Sequence, residues 1–549
     1  LHAGHAVNND VKQIIAQGDR LFDKRVGLMS LWQEIAENFF PEVAEFTMNR
    51  TLGSDFSENL MSSYPVLARR ELGDGFGAML RPGTKDWFKM GAAYREPDLE
   101  GRAWLERATK IQKRAMYDRK SQFTRATKEG DHFYAAFGQC VITVEMRKNL
   151  DGLLFRSWHL RDVAWCDNAE GVTDTVHHKM RHFTVQQLDQ MFPGKLAPSL
   201  QQKLKDDPYA EHEIRRVVMP SETYSGERPW RTKFVSLYVD PANNTVLEEM
   251  GQRTHPYVIP RWRTKPGSQY AHSPAAMTAL PDARQMQIMT LAIVEASENG
   301  VTPPMVANKE VFRSDFPRYA GGVTWADMAY DGKISDHFAM LSPDKSGIPM
   351  GMELRADLKD MITQAYYLNK LNLPSYDSKA MTAYEFAQRV QEYIRQVLPL
   401  FEPMEAEYNG PLCDRAAELL LAHGAFGPPD QIPQSLGGAE LEFTFESPLS
   451  EAIEKQKVTV FRDNIALAGE VAALDPAAPM VFSATQAFRA VLEANGSPAD
   501  WINSEETVQA MQQAHDQQMQ QQQLLDSMGK AAAAAKDFSA AGAAEPAMA

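Results

Sequence analysis

The sequence predicts an α+β protein that is mainly helical, and three observations carry that expectation. Apolar residues recur at helical spacing from Val11 to Phe40 and again beyond Pro274. Between them, short β-branched or aromatic runs alternate with turn residues, as in a sheet region. The length, 549 residues with 44% hydrophobic and 23% charged side chains, allows several domains and a large core.

The first run places Val11, Ile14, Ile15, Leu21, Phe22, Leu28, Trp32, Ile35 and Phe39 along a helix that Pro41 ends. A second helical stretch, Asn59 to Leu80, breaks at Arg81-Pro82-Gly83-Thr84. Glu100 to Asp131 reads as a basic, polar-faced helical region. Cys140–Glu145 and Leu153–Trp158, on either side of Asn149-Leu150-Asp151-Gly152, predict a hairpin. Phe234–Val239 and Thr245–Met250 predict two more strands joined by Asp240–Asn244, with a short helix near Val185–Met191.

Beyond Pro274, Thr278 is expected to cap a helix, with Pro281 in its first turn and Asp282 at the positive end of the dipole. This helix is expected to run to Asn299, where Gly300 and Pro303-Pro304 stop it. Its apolar residues from Met286 to Ala296 cover much of the circumference, which predicts burial on more than one side. A Gly/Pro-rich region over 303–350 follows. The next helix begins near Glu353, with Leu354, Leu358, Met361, Ile362, Ala365 and Tyr366 on one face. A polar loop, 369–380, leads to a capping box, Thr382-Ala383-Tyr384-Glu385, and a helix that Pro399 and Pro403 should kink. Pro411 opens a helical piece ending at Gly424, Leu441–Phe445 reads as a strand, and two more helical patterns reach about Asn495. The end is Gln-rich from Gln509 to Gln523 and then Ala-rich, a lone helix or a disordered tail.

Charge narrows the function. With 72 acidic against 57 basic side chains the formal net charge is -15, and the pI is near 5.4. That balance argues against a protein that grips nucleic acid or an anionic membrane. Three separated cysteines, Cys140, Cys166 and Cys413, offer neither a disulfide framework nor a CxxC zinc pair, so a reducing compartment is expected. The first residues lack the apolar run of a signal peptide, and no run of 18 apolar residues occurs, so a soluble cytoplasmic protein is expected.

Catalytic constellations are missing from the pattern. Gly73-Asp74-Gly75-Phe76-Gly77 has the wrong spacing for a dinucleotide loop, and close helix packing is its expected role. Asp331-Gly332-Lys333-Ile334-Ser335 has Asp327 where a phosphate loop needs its first glycine, so it reads as a turn. His177, His178 and His182 lie in an extended segment where His178 and His182 share a face and His177 does not. No carboxylate or cysteine completes a metal set there. No GxSxG elbow or HExxH helix is present. No catalytic residue, metal or cofactor is therefore expected. The loop between Lys370 and Lys379 reads by itself as a solvated connector.

The order of several short motifs nonetheless resembles the head-to-tail connector, or portal, proteins of short-tailed bacteriophages. They are Trp32-Gln33-Glu34-Ile35 with Phe40-Pro41; Leu72–Phe76 through Leu80–Gly83 to Trp87-Phe88; Ser273–Asp282 with Pro303-Pro304; Met381–Glu385; and Ser447-Pro448-Leu449. Tyr384 stands where the family motif has threonine. The resemblance covers about residue 10 to 525 and implies a ring of about twelve identical subunits, closed by head-to-tail contacts. It implies a wing over 1–275 with its β-rich part at 138–265, stem helices over 276–302 and 353–368, and a clip over 303–352. A tunnel loop over 369–381, a kinked helix and wing return over 382–445, a crown over 446–502 and a C-terminal barrel or tail over 503–549 complete it.

By the same resemblance, Lys370, Asn372, Ser375, Tyr376, Ser378 and Lys379 would face double-stranded DNA, and Arg284, Glu295, Glu298, Arg355 and Lys359 would belong to the stem. Arg313, Arg318, Lys333 and Lys345 would lie on the clip that docks the motor and then the tail. Implied partners are the terminase large subunit, tail or adaptor proteins, and major capsid and scaffolding proteins, with no membrane. The expected location is the capsid portal vertex of the virion, and host cytoplasm during assembly. Alternatives are a virion adaptor without direct DNA contact and a cytoplasmic metal-dependent enzyme. Two readings of the residues themselves agree with a portal. Helices flanking a Gly/Pro-rich insert make a helical hairpin, and the Pro399 and Pro403 kinks suit a helix bent around a ring interior; read with the resemblance, the acidic charge suits a channel that DNA crosses without being held.

Overall fold

The break in the first helical run comes from a basic residue that turns inward. Arg25 separates α1 (His2–Lys24) from α2 (Val26–Phe39), and its buried guanidinium donates to the carbonyls of Leu160 and Val163 at 2.8 and 2.7 Å. The computed structural model describes residues 2–51, 53, 60–83, 85–94, 97–224, 232–307, 338–340, 347–370, 402–438, 440–445, 461–462, 464–469 and 483–494, with scattered positions elsewhere up to 519. These fall into two units, Leu1–Phe88 with Ile111–Phe426, and Lys89–Lys110 with Gly427–Ala549.

After α2 come α3 (Tyr64–Leu80), strand β1 (Phe88–Ala92), α4 (Leu99–Met116) and α5 (Phe123–Phe137). Pro65 in the first turn sets the start of α3. The basic region expected as one stretch from Glu100 to Asp131 is thus two helices. Gln122 takes a left-handed φ of 57°, and the Ser121 hydroxyl donates to the Asp118 carbonyl at 2.8 Å; together they turn the chain. Gly73 and Gly77 of α3 serve packing, as their spacing suggests. A Cβ on Gly73 would come within 2.3 Å of His132 Nδ1 on α5.

The middle of the first unit is antiparallel sheet. The expected hairpin forms as β2 (Val141–Met146) and β3 (Leu153–Trp158), paired from Val141↔Trp158 to Met146↔Leu153. Next in the chain are β4 (Val163–Asp167), β5 (Thr173–Thr184), α6 (Val185–Met191), α7 (Pro198–Asp206), β6 (Glu211–Pro220), β7 (Phe234–Asp240) and β8 (Thr245–Gln252). β9 (Tyr257–Val258) pairs with β2, and a five-stranded sheet runs in the order β4-β5-β6-β7-β8. Alternation then divides the side chains. Val217, Met219, Val235, Leu237 and Val239 pack on Val11 and Ile14 of α1. Ile214, Tyr238 and Leu247 pack with Leu188 of α6, Phe192 just after it and Leu200 of α7. Thr184 and Gln187 form the capping box that starts α6.

In the second unit, β1 pairs with the strand Leu441–Phe445, in the position expected for it. Asp98 accepts from Gly101 N at 2.8 Å and from Ser435 Oγ at 2.6 Å. These bonds to Ser435 and Gly101 hold its carboxyl below the ordinary range.

Candidate functional site

The helix pair implied to be the stem is built on a cap one turn earlier than the local signals predict. Ser273, not Thr278, is the N-cap of α8 (Pro274–Val301). Its Oγ accepts from Ala276 N at 3.2 Å and donates to the Ala135 carbonyl of α5 at 2.7 Å. Pro274 takes the first helical position, where a missing N–H costs nothing, so Pro281 lies inside the helix and not in its first turn. Thr278 donates its hydroxyl back to the Pro274 carbonyl at 2.7 Å. The helix ends at Val301, beyond the expected Asn299.

A short antiparallel ribbon, Met305–Ala307 with Phe338–Met340, follows α8 and precedes α9 (Gly347–Ala365). The second helix thus starts earlier than Glu353, and the two pack along their length. Leu358, Ile362 and Tyr366 are buried as expected, but Leu354 and Met361 are exposed. Burial of α8 on more than one side, also expected, is not found within one chain. Its buried positions run from Ala275 to Thr290, while Ile288, Leu291 and Val294 are 70%, 39% and 46% exposed. The physical reason is supply: α2 and α5 pack on α8 beside α9, and nothing else in the described part of the unit covers its far face.

Arg284 pairs with Glu34 and so ties α8 to α2. Glu295 and Glu298 are exposed near the end of α8, Arg355 is half-buried on α9, and the Lys359 ammonium sits 5.0 Å from the Tyr64 ring centre. Lys370 closes a 3-10 turn, Leu368–Lys370, with its ammonium 5.7 Å from the Tyr367 ring. Asn372, Ser375, Tyr376, Ser378, Lys379, Arg313, Arg318, Lys333 and Lys345 lie outside the described residues, as do the Thr382–Glu385 capping box, Pro399 and the Asp331–Ser335 turn. Counting both helices, the exposed carboxylates Glu295, Glu298, Glu353, Asp357 and Asp360 outnumber the basic groups, so the pair is acidic.

Sequence reasoning missed what braces this pair. Gln287 Oε1 accepts from Met61 N and Ser62 N at 2.8 and 2.7 Å, and Gln287 Nε2 donates to Ser62 O at 3.0 Å. Tyr64 Oη then bonds Thr363 Oγ1 on α9. A lone glutamine on a helix carries no signal of a partner 225 residues away. Also unforeseen is a π-turn, Glu405–Asn409, leading into α10 (Gly410–Ala422). There Arg81 donates to Asn409 Oδ1 at 2.8 Å and pairs with Asp131, both side chains fully enclosed.

The three candidate metal ligands do not converge. His177 faces Arg215, His178 Nδ1 lies 3.0 Å from Tyr257 Oη, and His182 is largely exposed beside Glu211 at 3.3 Å. Among the described residues, no group of three or more His, Cys, Asp or Glu side chains could hold a metal ion. Instead, burial and a neighbouring arginine push His177 and His178 down to about 3. Burial, against a backbone bond to Tyr257, takes His255 to about 4. In the unfolded chain each titrates near 6.5. The stability that these three contribute should therefore be full above pH 6.5 and fall as pH drops, the unfolded chain holding up to three more protons on them, at about 1.4 kcal/mol per group per pH unit. Urea midpoints from pH 7 to 4.5 check this, and a flat profile to pH 5 would contradict neutral buried imidazoles.

Comparison with known proteins now identifies the kind of molecule. The model of the bacteriophage head to tail connecting protein family matches residues 11–502. The chain belongs to that family of structural phage proteins, and within it is a connector, or portal, protein. It is 26% identical over 490 residues to a protein described as the probable portal protein of Bordetella phage BPP-1, covering 86% of this chain and 85% of that one. A chain in the virion of a native gene transfer agent particle aligns over 79% of this chain and 95% of its own, with 8% identity and a TM-score of 0.34. Among the described residues, no helix is long and apolar enough to cross a membrane.

Proposed function

We propose that this chain forms the portal ring at a capsid vertex, a closed head-to-tail assembly of about twelve copies through which double-stranded DNA enters and later leaves. The supporting observation is the bare apolar stripe on α8 of the stem pair, together with exposed apolar side chains on α9. Ile288, Leu291 and Val294 of α8, with Met350, Met352 and Met361 of α9, are exposed in a single chain. A second copy would supply the cover that the sequence pattern calls for. Wing, stem, clip, tunnel loop, crown and tail then follow the boundaries that the family resemblance implies. The acidic helix pair would line a passage that phosphates cross without being held. In this reading the protein is no enzyme and lacks a cofactor; the terminase motor and then tail proteins dock on the clip, and capsid and scaffolding proteins surround the wing. It sits in the virion, after assembly in the host cytoplasm.

Electron microscopy and native mass measurement test the ring. The wild-type chain should give closed rings, and Ile288→Glu/Leu291→Glu should give folded monomers with an unchanged circular dichroism spectrum. Monomeric wild-type protein at micromolar concentration, or rings in the variant, would overturn the reading.

A further inference from the structure

Between Arg107 and Lys128 the chain carries eight basic side chains and one acidic, Asp118, in a protein of net charge -15. From Ile111 on, within the first unit, this stretch forms the end of α4, the turn over 117–122 and the start of α5. Part of the charge is neutralised locally. Lys113 pairs with Asp86 at 2.7 Å, Arg125 with Glu129 at 2.9 Å and Lys128 with Asp74 at 3.1 Å. Lys120 and Arg147 share one carboxylate, Asp151, each at 3.0 Å, and Arg147 Nη1 also donates to the Lys120 carbonyl at 3.0 Å. That leaves this pair a net positive charge. Asp118 accepts from the Lys120 backbone N–H at 2.8 Å. Arg114 and Arg119 are exposed and have no carboxylate partner among the described residues.

We propose that this basic turn binds the phosphate backbone of double-stranded DNA through Arg114, Arg119 and the Lys120–Arg147 pair, without reading bases. Two observations favour duplex DNA over a second copy of the chain. A subunit contact needs an apolar centre, and the exposed apolar stripe lies on α8. Here Ile111 and Leu150 are the large apolar side chains that show, 37% and 64% exposed. Phosphate contacts, by contrast, need cations alone, and free guanidinium groups are suited to them. The assignment rests on the portal reading for the presence of duplex DNA. It gives the molecule two electrostatic characters, an acidic helix pair that lets DNA slide and a separate basic turn that holds it.

Fluorescence anisotropy of a short mixed-sequence duplex, between about 50 and 200 mM KCl, tests this on the full chain. The same samples are imaged for rings. Arg114→Ala/Arg119→Ala should weaken binding at least about ten-fold at the lowest salt and reduce the log–log salt slope by about 2, close to 0.9 for each phosphate that is no longer neutralised. Arg114→Lys/Arg119→Lys should retain most of the binding, since charge and not fork geometry carries it. Equal affinity and slope in wild type and the alanine variant would overturn the proposal. So would polyglutamate that binds the wild type as tightly as DNA does, because that result assigns the turn to an acidic protein. Missing wild-type rings would instead count against the portal reading, and the DNA measurement would still decide this one.

Discussion

Gly138→Ala should cost at least about 3 kcal/mol of stability and cut the yield of folded protein sharply. Gly138 ends α5 with φ +72°, its N–H bonded to the Tyr134 carbonyl at 2.8 Å and its own carbonyl accepting from Trp262 N at 2.7 Å. An added Cβ would lie 2.1 Å from the carbonyl carbon of His272 and 2.3 Å from Ser273 N. Those are backbone atoms of the peptide that starts α8, so no side-chain rotation relieves the overlap. The methyl would have to push the cap of the stem helix off α5, breaking the bond from Ser273 Oγ to Ala135 O. Gly171→Ala separates the two costs. Gly171 has φ +79° with nothing within 4 Å of the added atom, so only the backbone preference, about 1 kcal/mol, is lost there. Urea denaturation of both variants measures the difference. Equal midpoint shifts would mean that the approach of α5 to the root of α8 is not tight.

The elements that sequence reasoning located well are those whose signal is local. The hairpin of β2 and β3 was legible from two β-branched or aromatic runs around Asp151-Gly152, and α6 as a short helical stretch near Val185–Met191. What escaped it was decided by distant partners. Arg25 breaks the first helix because carbonyls 135 and 138 residues away accept from it. Thr278 and Ser273 are equally good caps by type, and the choice falls to Ser273 because the Ala135 carbonyl stands beside it. The apolar circumference of α8 was read correctly as pattern, but a single chain has no second wall for it. The candidate site divides the same way. The helix pair was legible, whereas Gln287, Tyr64 and the π-turn that brace its surroundings are joined by contacts across hundreds of residues.

The Arg81–Asp131 pair should show the second large effect, and its pattern is diagnostic. The two side chains are 3% and 1% exposed. Arg81 also donates to Asn409 Oδ1 and stands 4.5 Å over the Tyr408 ring. Burial opposes its charge, but Asp131 and Tyr408 more than offset that and raise its pKa above the usual arginine value. Removing one partner leaves the other charged and dry, which costs about 3–5 kcal/mol. The two single variants should then diverge with pH. In Arg81→Met the stranded Asp131 can take up a proton, so the loss should shrink between pH 7 and pH 5, relative to wild type. In Asp131→Asn the stranded guanidinium stays charged, and the loss should hold constant. The double variant Arg81→Met/Asp131→Leu removes both charges at once and should recover much of the stability, since a buried pair is close to neutral against apolar residues of similar volume. Additive losses in the double variant would mean that the two residues act separately. A coupled recovery would show that the end of α3, the middle of α5 and the π-turn before α10 are held by one charge pair.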